Sequence, residues 1–467
     1  MSFTMTDFSK MDKKPFLRSL SLGILLFFGF WGGEMSLSHA AQPPRSIIRD
    51  AETEAALREW SEGVFQSAGL SQSQVNIILL EDHGINAFVA GGANIFIYTG
   101  LLLKTETPTE ALGVIAHEMG HISGGHLTRT SEVAENASFE AILGAVLGIG
   151  AAIATGDGAA AAAGVQIGQS TAMNSFLSHS RVQESSADQA GFRFMTGAGV
   201  NPSGLVSFLD KLSSQELLDT SQQSEYVRTH PLSRDRVEAL ENQLSRSALR
   251  GKELPASWVE EHARIKAKLL GYISPQQVTY VYKSSDSSIP SLYARGIAAY
   301  RMNHVTEALT LADQLIAREP KNPYFHELKG QMLFEFGRVS ESVKSYEKAV
   351  ALLPSSGLIR VALAHSLIEQ KGAVPSVLQE AISHLKRAER EEPRSSSIKR
   401  LLATAYGRMG KETEARVYLA EEALMQGNKE KARSMAQDAL KKLPTASPER
   451  VRAQDVINSV GDQDKKH

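Results

Sequence analysis

Two histidines four residues apart, with a glutamate directly after the first, stand in the run Ala116-His117-Glu118-Met119-Gly120-His121. On a helix that spacing aims both imidazoles the same way, so they can grip one metal ion while the glutamate reaches a water beside it. The chemistry implied is metal-assisted hydrolysis of a peptide bond. A zinc ion polarises the scissile carbonyl and lowers the pKa of water toward about 7. Glu118 would accept the water's proton and pass it to the leaving amine. The competing reading is a core helix that carries two hydrogen-bonded histidines.

Catalytic zinc usually takes three protein ligands, so a third is expected elsewhere. Glu184 and Asp188 lie one helical turn apart, among Ala187, Ala190 and Gly191, which are small enough for another helix to come close. Glu184 is the expected ligand. Asp188 would stand behind it and accept the spare N–H of a metal-bound histidine, fixing its tautomer. Taken alone the pair reads as a solvated helix face; the upstream motif changes that. The expected cofactor is one zinc ion held by His117, His121 and Glu184. For the oxyanion that develops during attack, His230 in Thr229-His230-Pro231 is the expected donor. It would otherwise cap the metal as a fourth ligand and hold the enzyme inactive, or merely start a helix. His126 falls one residue short of a three-histidine spacing, so it reads as a supporting or surface residue. His83 and His179 have less to recommend them.

The elements that must position these groups are legible around them. Thr107-Pro108-Thr109-Glu110 has the form of a capping box with proline at the first helical position, and Gly124-Gly125 supply a stop. Residues 75–80, 85–89 and 95–99 read as short strands separated by His83-Gly84 and Gly91-Gly92 turns. A free strand edge near the metal would bind an extended peptide by backbone pairing. Between the two metal-binding helices, residues 141–168 are almost wholly Ala, Gly, Ile, Leu and Val around Thr155-Gly156-Asp157-Gly158. Each apolar arm is too short to cross a bilayer. The segment reads as a buried hairpin, with a flap that touches a membrane or covers the site as the alternative.

From Asn86 to Arg236 the chain resembles the gluzincin metallopeptidases related to the prenyl-protein endopeptidases and the heat-shock membrane protease. The resemblance rests on His117-Glu118-x-x-His121, Glu184 to Asp188, Asn86-Ala87-Phe88 with Gly91-Gly92, Ile95 to Gly100, and Thr229-His230-Pro231 with Arg236. It implies that the third ligand comes from the downstream Glu-x-x-Ala-Asp, here Glu184 to Asp188. The fold class expected for residues 41–248 is an α+β metallopeptidase domain, mostly helical with a small sheet.

At 467 residues and a formal charge of −2 the chain has room for two or three domains and no global reason to bind nucleic acid. Lys10, Lys13, Lys14 and Arg18 precede an apolar stretch from Leu20 to Trp31, and Ser38-His39-Ala40 offers a cleavage site. Residues 1–40 therefore read as a signal peptide, which places the mature chain in the bacterial periplasm with possible peripheral membrane contact. With no cysteine, disulfides and a lipidated N-terminal cysteine are excluded. Residues 249–290 read as a linker or helical connection. Beyond it, Gly296 and Gly330 are 34 residues apart, as are Pro320 and Pro354, the period of the tetratricopeptide repeat. Residues 291–455 are thus expected to form an all-α solenoid with a concave protein-binding face, and 456–467 a tail made of a frayed helix end and solvated residues. With this repeat region added, the resemblance extends to periplasmic proteases that serve outer-membrane barrels. It implies quality control and assembly of outer-membrane proteins, with misfolded or unassembled envelope proteins and the barrel assembly machinery as partners. A chaperone or adaptor with little proteolysis is the other reading.

Overall fold

The computed structural model describes residues 46–126, 180–219 and 222–463. The expected signal peptide, the Ala/Gly-rich segment 141–168, His179 and residues 464–467 lie outside them. The N-terminal part is helical around one four-stranded sheet, and among the described residues every element from Ile289 onward is a helix.

The sheet comprises β1 (Ser46–Ile48), β2 (Asn76–Glu81), β3 (Ala87–Val89) and β4 (Asn94–Tyr98) in the order β1-β2-β4-β3. β2 and β4 run parallel, and β3 pairs antiparallel with β4 through Phe88↔Phe96. β3 is therefore an edge strand. Its neighbour is α3 (Pro108–Ser123), the helix that carries His117, Glu118 and His121. Three of the strands follow the expected pattern to within two residues at each end. β1 was not anticipated, because its three residues are too few to show alternation.

At the start of α3 the Thr107 hydroxyl accepts the Glu110 N–H at 3.3 Å. Glu110 does not reach back to Thr107 as the capping box anticipated. Its carboxylate accepts instead from the Glu106 N–H at 2.7 Å, where Lys211 Nζ also meets it at 2.9 Å. Lys211 belongs to α5 (Ser203–Ser213). α4 (Arg181–Gly197) carries Glu184 and Asp188, and its first turn is closed by a capping box between Ser180 and Gln183.

α3 is gripped on two sides by close backbone approach. A Cβ on Gly113 would lie 2.6 Å from Leu205 Cα of α5, and one on Gly120 would lie 2.5 Å from the Ala187 carbonyl oxygen of α4. Gly120 thus sets the distance between the helix with the histidines and the helix with Glu184. Gly120→Ala is expected to cost about 1–3 kcal/mol by overpacking and to weaken metal binding with it. Thermal melts and metal titration check this; an unchanged affinity would mean the helices do not need that distance.

Residues 249–290, expected as a linker or helical connection, hold α8 (Ala256–Ile273), most of whose second half is buried. Trp60 Nε1 of α1 (Ala51–Ser67) donates to Glu261 at 2.9 Å, and the His262 ring lies 2.8 Å from Thr105 Oγ1. On its other side Gly271 lets α8 come against Ala294 and Ile297 of the first repeat helix, Ile289–Arg301. One apolar core consequently runs from Ile48 through to Met332.

Five helix pairs follow. The first helices of the first three pairs begin at Ile289, Pro323 and Gly357, the expected 34-residue period. The next begins at Ser396, five residues late, because the loop before Pro375 is longer and Pro375–Glu391 runs to 17 residues. The last helix, Pro448–Gln463, runs through most of the segment expected as a frayed helix end and solvated tail. Val456 and Val460, one turn apart, are buried at 3% and 2% exposure and carry the helix onward.

Candidate metal centre

His117, Glu118 and His121 are all fully buried, as is Glu184 across from them on α4. His117 Nε2 lies 3.1 Å from His121 Nε2. Glu184 places Oε2 at 3.3 Å from the first nitrogen and Oε1 at 3.3 Å from the second. Tetrahedral ligands at zinc-like bond lengths are separated by about 3.3 Å. Three donors from two helices therefore define a triangle of the size an ion of that kind requires.

The outer nitrogens fix the tautomers. Asp188 Oδ1 accepts from His117 Nδ1 at 2.9 Å, which leaves the Nε2 lone pair directed at the shared point. His121 Nδ1 is 2.9 Å from His126 Nδ1, so the buried His126 supports His121 from behind and is not a further donor to the centre.

His230 ends α6 (Glu225–Thr229) and brings its ring edge-on to both motif histidines, with centroids 5.4 Å from each. The ligand atoms of His117, His121, Glu184 and His230 all lie within 4.8 Å of one another. Tyr226 stacks on the His230 ring at 4.4 Å. The Thr229 hydroxyl donates to the carbonyl oxygens of Glu225 and Tyr226, so it accepts from His230 Nδ1 at 2.9 Å. His230 Nε2 then faces Glu118 Oε1 at 3.4 Å. His83 takes no part among the described residues of the centre.

Charge accounts for the chemistry. Glu118, Glu184 and Asp188 are three buried carboxylates, and Arg236 is the one buried guanidinium among them. With Glu118 ionised and both motif histidines neutral, as metal ligation requires, the buried groups would carry an excess of two negative charges, which a divalent cation would neutralise. Burial disfavours a charged His117, yet Asp188 and Glu184 beside it overcome this and raise it to about 10. Burial, with Glu184 nearby, pushes the Glu118 carboxyl up to about 8. Neither oxygen of Glu118 has a hydrogen-bond partner among the described residues. The donor set fits a divalent metal ion, and the Glu118 carboxyl lies at its side, facing His230 Nε2.

Arg236, on the first turn of α7 (Arg234–Ser245), was legible only as a piece of the family pattern. Its contacts across 48 residues to Asp188 leave no periodic trace in sequence.

Residues 51–244 match the model of peptidase family M48, and residues 293–357 match a tetratricopeptide-repeat model. The chain is 22% identical over 397 residues to the beta-barrel assembly-enhancing protease of Yersinia pestis, covering 83% of this chain and 79% of that protein. It is 25% identical over 386 residues to the protein of that name from Escherichia coli K12, covering 81% and 76%. Metalloprotease LoiP of Escherichia coli K12 is 26% identical over 209 residues, covering 44% of this chain and 77% of its own.

Proposed function

We propose that this chain, an M48 metallopeptidase domain joined to tetratricopeptide repeats, is a periplasmic zinc endopeptidase. In this reading it acts in the quality control and assembly of outer-membrane proteins. The observation that carries the metallopeptidase reading is the convergence of His117, His121 and Glu184 on one buried point with the buried carboxyl of Glu118 beside it. Zinc bound there would supply Lewis acidity toward a carbonyl and acidify water. Glu118 takes the proton and hands it to the leaving amine. Asp188 keeps His117 in the tautomer that presents Nε2. His230, protonated on Nε2, donates to the oxyanion. β3, an edge strand among the described residues, pairs with an extended peptide, and at its start Asn86 has a buried side-chain amide with no hydrogen-bond partner among those residues.

The periplasmic setting is supported by the signal-peptide pattern of residues 1–40, and the link to barrel assembly by the names of the relatives. Misfolded or stalled barrel proteins presented by the repeats are the substrates this reading expects, with the assembly machinery as a contact. A second reading, a chaperone or adaptor with restrained proteolysis, draws on one observation. With Thr229 accepting from Nδ1, neutral His230 directs an Nε2 lone pair into the ligand cluster, as a fourth ligand would.

The test is zinc content and casein cleavage by the mature chain before and after chelation. One zinc per chain, with activity lost on chelation and restored by zinc, is expected. Cleavage indifferent to chelation would sink the reading.

The role of the repeats has its own test. The first two helix pairs contribute to the core shared with the protease, so a cut at residue 290 would open that core. A chain ending at Pro354 removes the outer repeats and, with them, the Arg49–Glu392 contact at 2.6 Å, and leaves the shared core in place. It is expected to keep most of its activity on unstructured casein and to lose about 10-fold or more on a folded barrel complex, where tethering matters. Equal losses on both substrates would argue against delivery by the repeats.

A further inference from the structure

The buried guanidinium of Arg236 touches three parts of the centre at once. Its Nε and Nη2 donate to Asp188 Oδ2 and Oδ1 at 2.6 and 2.9 Å, a two-pronged grip on the carboxylate behind His117. Its Nη1 lies 3.0 Å from Glu184 Oε2, the oxygen that faces His117 Nε2. The same nitrogen donates to the Pro231 carbonyl oxygen at 2.8 Å, immediately after His230.

Each contact constrains something different. The fork on Asp188 holds the carboxylate ionised and in plane, so the His117 proton stays on Nδ1. The contact at Glu184 fixes which of its oxygens turns to which histidine. The contact at Pro231 pins the turn that carries His230, whose N–H donates to the Tyr226 carbonyl oxygen at 2.8 Å. A lysine, being a single point charge on a flexible stem, cannot reproduce this planar set of contacts.

We propose that Arg236 is a positioning residue that holds the metal ligands and the His230 turn as one unit, so that metal affinity and order in the turn are lost together when the guanidinium is replaced. This rests on the reading of His117, His121 and Glu184 as zinc ligands.

The experiment compares the parent chain, Arg236→Lys and Asp188→Asn. Zinc affinity is measured by competition with a chromogenic chelator, and hydrogen exchange is followed at residues 226–232 with and without zinc. Arg236→Lys is expected to lower affinity by about 10–100-fold and to speed exchange at the His230 amide in both states. Asp188→Asn is expected to lower affinity while sparing that amide, because the Pro231 contact survives. A purely structural arginine would lower the melting temperature of both states alike and leave zinc affinity untouched. Affinity of Arg236→Lys within about two-fold of the parent, or weakened affinity with unchanged exchange at His230, overturns the proposal. If the lysine chain does not fold, Asp188→Asn decides: unchanged affinity there also overturns it. A parent chain that takes up no zinc sinks the metal reading itself, and exchange at His230 in the metal-free chains still decides whether Arg236 holds the turn.

Discussion

Glu118→Gln is expected to lower kcat/KM for peptide hydrolysis by about 10²–10⁴-fold with no change in metal content. Glutamine keeps the shape of the side chain and loses only the ability to accept a proton. The three donors that meet at one point are His117, His121 and Glu184, and none of their contacts passes through Glu118. Burial already pushes the Glu118 carboxyl up to about 8, so a neutral amide suits the position and the folded state is not expected to weaken. Metal analysis beside casein cleavage separates the outcomes. Loss of metal together with activity would make Glu118 a ligand, and full activity would place the base elsewhere.

What sequence could show divides along the range of the interactions involved. His117, Glu118 and His121 share one helical turn, so the period of the helix alone specified their common direction. Glu184 and Asp188 lie far along the chain from that motif, and only the combined pattern lifted them above a solvated helix face. The 34-residue spacing of the repeats was plain because stacking imposes the same small residues on each unit. The behaviour of α8 was hidden for the opposite reason. Lys, Arg and Glu are mixed along it with no local sign of their partners, whereas Arg264 and Lys268 are buried against Glu52 and Asp50 from far earlier in the chain. Val456 and Val460 were overlooked because two apolar residues in a polar stretch make no pattern until a neighbouring helix covers them. Arg236 belongs to the same class, its partners being set by how three helices meet.

Lys268→Met is expected to destabilise the fold by about 3–5 kcal/mol, the cost of stranding buried carboxylates. Lys268 Nζ lies 2.5 Å from Asp50 Oδ2 and 3.3 Å from Glu52 Oε2, all three side chains being almost wholly buried. Glu52 also accepts from Arg264 Nε and from the Tyr293 hydroxyl, each at 2.7 Å. One carboxylate thus joins α1, α8 and the first repeat helix, so the substitution strikes the seam between protease and solenoid. Burial alone would raise the Asp50 carboxyl, yet the Lys268 ammonium overcomes it and holds Asp50 well below the usual carboxylate range. Lys268 is raised above the usual lysine value by Asp50 and Glu52 despite its own burial. The depressed Asp50 contributes stability above its unfolded pKa of about 3.9 and loses it as pH falls through the folded value. The raised Lys268 contributes below about 10.4 and loses it only as pH rises through its folded value. Between those limits the parent's ion pair is intact. In the methionine variant Asp50 keeps the Thr53 N–H at 2.8 Å but loses the ammonium that chiefly opposes burial, so its carboxyl rises and takes up a proton more readily as the pH drops. The deficit is therefore expected to be larger at pH 8 than at pH 4.5. Urea unfolding followed at the first transition measures it, since a chain of this size need not unfold in one step. A deficit below about 1 kcal/mol, or one that does not shrink with acid, would mean that the apolar core alone holds the repeats to the protease.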